Sequence, residues 1–181
     1  MKKVLVILSL VVITGTVQAQ TKETSSAIVS FDATTPKDAL PKAESKTVIG
    51  LLNTTTGEIG FEAAVNSFTF TNPMIQDHFN GEKWMHSQKF PLFSFTGKVT
   101  DLSKVNFAKN GTYTVPVSGD LTIKDITKPV STTVTVKVEG GTVNANTEFS
   151  IKLADYGIKG VPIDAGKVAK EPTIRVSASL K

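Results

Sequence analysis

The sequence predicts an all-β domain, an antiparallel sandwich or closed barrel of eight or more strands with one short helical excursion. Three observations predict it. From about Ser25 onward apolar residues recur at every second position, which puts successive side chains on opposite faces of a strand. Turn residues separate these runs at roughly ten-residue spacing, as in small sandwiches and barrels. A single stretch carries helix signals, and no repeat, low-complexity tract or linker divides the chain.

Taken in order, residues 28–31, 47–53, 58–65 and 67–71 read as strands, with Thr56-Gly57 as a hairpin tip. Asn72-Pro73 then offers a cap followed by proline in the first helical turn, so 74–79 reads as a short helix ending before Asn80-Gly81. Residues 90–99 resume the strand pattern, and Asn110-Gly111 reads as a second hairpin tip. Along 112–123 Tyr113, Val115, Val117, Leu121 and Ile123 share one face. In the next strand Val130, Val134, Val136 and Val138 alternate with Ser131, Thr133, Thr135 and Lys137. Gly140-Gly141 then joins this run to a third, with Val143, Ala145, Phe149, Ile151 and Leu153 facing one way, and two alternating runs so joined are a hairpin signal. Residues 157–172 read as a long loop and 173–180 as the closing strand.

Residues 1–19 differ in composition from the rest. Lys2 and Lys3 precede an apolar run from Val4 to Ile13, and Val17-Gln18-Ala19 places small residues where signal peptidase cuts. A secretory signal peptide over 1–19 is expected, leaving the barrel or sandwich domain at 20–181 and a periplasmic or secreted protein. The apolar run is about half the ~20 residues of a spanning helix, and with no Cys there is no acceptor for a lipoprotein anchor, so no permanent membrane anchor is expected. Loss of the two signal lysines takes the formal charge from +4 to +2. That charge, a single Arg (Arg175) and dispersed lysines argue against nucleic acid.

Catalytic motifs are missing from the sequence. There is no Gly-x-Ser-x-Gly, Walker or His-Glu-x-x-His pattern, and Gly97-Lys98-Val99-Thr100 lacks the upstream glycine of a phosphate loop. His78 and His86 are the only histidines, eight apart across an Asn-Gly turn, which matches no compact metal-ligand spacing. No enzyme, no metal and no cofactor beyond a bound lipid are expected. A hydrolase would need one of those histidines beside a Ser or carboxylate in a cleft.

The aromatic residues are unevenly placed. Nine of 13 fall between 61 and 107: Phe61, Phe68, Phe70, Phe79, Trp84, Phe90, Phe93, Phe95 and Phe107. Phe68 and Phe70 are out of phase with Ile59, Phe61, Ala63 and Val65, so either a bulge intervenes or the strand is covered on both faces.

The run Phe68-x-Phe70, Met74, His78-Phe79-Asn80, Trp84-Met85, Ser87, Lys89-Phe90-Pro91 and Phe93 to Gly97 resembles the central signature of the YceI-like family of exported proteins. Tyr113-x-Val115-x-Val117-x-Gly119-x-Leu121-x-Ile123 with Thr127-Lys128 is similar to its later hairpin, and Asp155-Tyr156-Gly157-Ile158 with the closing strand resembles its end. The resemblance implies a lipocalin-like, eight-stranded antiparallel barrel whose elongated cavity binds a polyisoprenoid chain. Phe61, Phe68, Phe70, Met74, Phe79, Trp84, Phe90, Phe93 and Phe95 are then the expected contributors to the cavity or its lid, and His78 and Asn80 the expected contacts of a head group. Two departures stand out. Asp125 occupies a turn position where the family suggests Gly, and Asp tolerates the left-handed backbone required there. Residues 28–53 lack the His and Gly-rich pattern of the family's first strands, so the head group is left unassigned. The competing expectation is a secreted stress-response or interaction domain with a barrel filled by its own aromatics. The oligomeric state is open, a dimer included.

Overall fold

A computed structural model describes residues 20–181; the expected signal peptide lies outside the described residues. Among the described residues nine strands are formed: β1 (Thr21–Asp32), β2 (Lys42–Asn53), β3 (Glu58–Ala64), β4 (Thr69–Phe70), β5 (Leu92–Val99), β6 (Gly111–Ile123), β7 (Ile126–Glu139), β8 (Thr142–Ser150) and β9 (Thr173–Leu180). Each long strand pairs antiparallel with its neighbour in sequence, and β9 returns to β1 through Ile28 opposite Ser177 to Asp32 opposite Thr173. Eight strands therefore close into a barrel, with β4 a short continuation of the β3 edge along β2. Each of the eight long strands is paired on both sides over at least part of its length, which answers the sandwich-or-barrel question.

Local chemistry explains most of the element boundaries. Gly140 and Gly141 take φ of 57° and 81°, the positive values a two-residue hairpin loop needs at both centres. Asn53 Oδ1 accepts from the Thr55 and Thr56 amides, and Gly57 at φ 75° completes the β2–β3 turn. Pro91 cannot donate to a ladder and the Phe90 amide is held by the His86 carbonyl, so β5 starts at Leu92 rather than at 90.

Several expectations are corrected. Asn110-Gly111 is not a hairpin tip: Gly111 opens β6, and Asn110 Oδ1 accepts from the Gly140 amide of another loop. In the β6–β7 loop the positive φ, 61°, belongs to Lys124 and not to Asp125, the first of two loop residues being where a type II′ turn needs it. β8 stops at Ser150, and Leu153 lies in a 3₁₀ turn (Leu153–Tyr156) that Gly157 ends in the left-handed conformation at φ 67°. The stretch 157–172 contains a four-residue helix, α2 (Val161–Asp164), with Pro162 in its first turn.

The phase change near Phe68 has a simple cause. A 3₁₀ turn over Val65–Ser67 separates β3 from β4, so that Ala63, Val65, Phe68 and Phe70 are all buried on the inner side. Ser67 Oγ donates to the Ala64 carbonyl at 2.6 Å and is itself 2.7 Å from the fully buried Ser45 hydroxyl of β2, which satisfies both groups. α1 (Pro73–Asn80) follows, capped by Asn72, whose Oδ1 accepts from the Met74 and Ile75 amides. Gln76 Oε1 accepts from the Phe70 amide at 3.0 Å and ties the helix to β4.

Candidate functional site: an apolar lumen

α1, α2 and the 33–41 loop gather at one end of the barrel, because β1, β6 and β8 end there and β2, β5 and β9 begin there. The 54–57 and 140–141 turns, the 100–110 segment and the C-terminal residue lie at the other. Between these ends is a cavity of about 210 Å³, lined by all eight barrel strands and almost wholly apolar. On β6 the lining positions run from Val115 to Ile123, a separation of about 26 Å in extended strand.

Two features keep this space open. The Phe61 ring lies over Gly50, directly opposite it on β2, so closely that a Cβ there would fall inside the ring's contact distance. The Phe95 ring tip likewise reaches to 2.7 Å from where a Cβ would stand on Gly97 or Gly119, which are paired across β5 and β6. Glycine thus removes wall side chains where the rings lie back, and two large aromatics line the lumen instead of plugging it.

Of the residues expected at the site, Phe61, Phe68, Phe79, Phe93 and Phe95 border the cavity. Phe79 comes from α1 and closes the helical end, packed on Phe70 at 4.9 Å, Phe68 at 6.3 Å and Phe31 at 6.4 Å between centroids. Phe68 meets Phe93 edge-on at 5.6 Å. Phe70 is buried behind Phe79 without bordering the cavity, and Trp84 packs partly buried against the core. Met74 is 67% exposed on the outer side of α1. Phe90 lies outside, edge-on to His86 and under the ammonium groups of Lys89 and Lys124 at 5.0 and 5.7 Å. His78 is exposed. Asn80 donates from Nδ2 to the Gln76 carbonyl, its Oδ1 buried with no partner among the described residues, and neither borders the cavity.

Sequence reasoning passed over Phe31, Met85 and the aliphatic wall, of which Val134, Val143, Ala145 and Ile174 are examples. Much of that wall was visible as the period-two inward set; weighting aromatics alone obscured it. Among the described residues no group of three or more His, Asp or Glu side chains could hold a metal, and no helix is long and apolar enough to cross a membrane.

The sequence profile of the YceI-like domain matches residues 6–180. The chain belongs to the YceI-like family. No curated protein sequence matches it. Among solved structures, the YceI-like barrel is similar to a polyisoprenoid-binding domain from Saccharophagus degradans implicated in plant cell wall breakdown. The TM-score is 0.76 at 15% identity, over 91% of this chain and 99% of that one. BcnA of Burkholderia cenocepacia aligns with a TM-score of 0.55 at 21% identity, over 89% and 96% of the two chains. A Campylobacter jejuni YCEI protein aligns with a TM-score of 0.52 at 17% identity, over 72% and 78%. At these identities the likeness concerns the fold, and the YceI-like fold is that of the closed barrel described above.

Proposed function

We propose that this YceI-like barrel holds a polyisoprenoid or similar apolar chain in its lumen and acts as an exported carrier or sequestering protein, without catalysis. The observation that carries the reading is an apolar cavity running along the barrel while its largest rings lie back over glycines. A barrel stabilised only by its own side chains has no need of such seats. This favours the carrier over a surface-acting domain with a filled interior. The polyisoprenoid-binding description of the Saccharophagus degradans neighbour supports the same ligand class.

Energetics permit it. Transfer of a chain of ~20 carbons from water contributes on the order of 16 kcal/mol at ~0.8 kcal/mol per carbon, against an association cost of ~4 to 15 kcal/mol. Phe61, Phe68, Phe79, Phe93 and Phe95 are the proposed aromatic contacts, with Phe70 and Trp84 supporting them from behind. Export rests on the 1–19 leader and on cleavage after Ala19, which N-terminal sequencing of the periplasmic or secreted protein would check.

Organic extraction of purified protein followed by mass spectrometry should release a prenyl lipid, and delipidated protein should take up an added prenol. Absence of both overturns the proposal.

A further inference from the structure

The barrel wall parts between β7 and β8. Their ladder runs from Glu139 opposite Thr142 to Thr135 opposite Asn146 and ends there, although β7 reaches back to Ile126 and β8 on to Ser150. Beyond that point β7 stays paired with β6 and β8 with β9, so each strand is held in place while the two separate toward the helical end.

Hydroxyls bridge the seam. Thr132 and Thr147 both border the cavity, and their Oγ1 atoms are 2.8 Å apart. Each hydroxyl also reaches a carbonyl across the seam, Thr147 that of Thr133 at 2.9 Å and Thr132 that of Glu148 at 3.4 Å, so at most one of the two lone pairs on the Thr132 oxygen is used by Thr147. The Thr132 oxygen therefore retains acceptor capacity beside an apolar lumen. The other polar residues bordering the cavity, Glu62 and Ser94, sit at outward-facing positions of β3 and β5.

Outside the seam a polar groove shares Thr147 and Val176 with the lumen and carries Ser30, Asn146 and Arg175. Arg175 is already engaged, its Nε 2.6 Å from Glu148 and its NH1 nitrogen 3.8 Å from Asp32. The one cation lining the groove is held against a carboxylate, so the groove offers no unpaired positive charge to an anionic group.

We propose that the β7–β8 seam receives the polar end of the lumen's ligand, and that this end is an uncharged hydroxyl donating to Thr132 rather than a phosphate ester. The inference rests on the lipid-binding reading above. It places the polar end away from His78 and Asn80, which do not border the lumen.

The test measures binding of geranylgeraniol, geranylgeranyl diphosphate and squalene to delipidated full-length mature protein, wild type and Thr132→Val. Wild type should prefer the alcohol to the diphosphate by about tenfold or more. Thr132→Val should weaken the alcohol about three- to tenfold, the range expected for one hydrogen bond, and leave squalene unchanged, which also reports an intact fold. Thr132→Ser keeps the hydroxyl and should bind the alcohol as wild type does. Unaltered alcohol affinity in Thr132→Val, equal losses in the Val and Ser variants, or a diphosphate bound as tightly as the alcohol would each overturn the seam while squalene binding upholds the lumen. Failure of wild type to bind any of the three overturns the lumen reading and the seam with it.

Discussion

Gly60 and Gly119 are both strand glycines, yet substitution should act on them in opposite directions. A Cβ on Gly119 would collide with the Gly97 Cα and the Thr96 carbonyl, which are backbone and cannot swing away, whereas a Cβ on Gly60 meets nothing within 4 Å. Gly119→Ala should cost at least ~1–3 kcal/mol as an overpacked site, and Gly60→Ala should gain ~0.5–1 kcal/mol from reduced backbone entropy. Urea titration of the two variants checks the contrast. Tyr156 supplies a second test. Burial in the 3₁₀ turn, with the neighbouring Asp155 carboxylate, pushes its phenol up to about 12 from 10.0. A raised pKa means that the fold favours the neutral phenol. The stabilisation is complete below pH 10 and falls as pH rises from there through about 12. Alkaline denaturation of wild type should therefore begin near pH 10, and Tyr156→Phe should flatten that part of the profile.

Among the elements, α1 is the one whose sequence and placement can be separated. Asn72 and Pro73 write its start in the chain, but its eight residues are too few to be stable alone, and it persists because Phe79 is buried and Gln76 bonds β4. Asn72→Ala should cost ~1 kcal/mol by leaving the Met74 and Ile75 amides without their acceptor. Because α1 closes one end of the lumen, hydrogen exchange should quicken in 73–80 before the strands are affected. Other elements were legible to different degrees. β6 and β9 are read almost to the residue, whereas β7 is read only from Val130, four residues after its start at Ile126. β1 is read only from Ile28, since register shifts between Thr24 and Ala27 and between Ala27 and Val29 break the alternation. The start of β2 is hidden because Ser45, fully buried, is polar.

In the whole molecule the lumen is a volume shared by eight strands, and its worth is tested by filling it. Ala145 on β8 borders the cavity. Ala145→Phe should lower prenol uptake at least about tenfold, in proportion to the apolar area the chain can no longer bury, with far-ultraviolet circular dichroism unchanged. Met74→Ala, on the outer side of α1, should bind as wild type does. Equilibrium titration of both variants distinguishes a lumen site from binding on the helix surface.

What the sequence determined by itself was local: which residues alternate, where Gly140-Gly141 turns the chain, and where Asn72-Pro73 starts a helix. These follow from backbone geometry, which is written residue by residue. The tertiary structure decided what depends on distant pairing. β9 returning to β1 closes the barrel, and that closure brings Phe61, Phe68, Phe79, Phe93 and Phe95 to one cavity while leaving Met74 and Phe90 outside. It also lets β7 and β8 part at Thr132 and Thr147, a separation that no alternation of residues encodes, because each strand is held by a different neighbour.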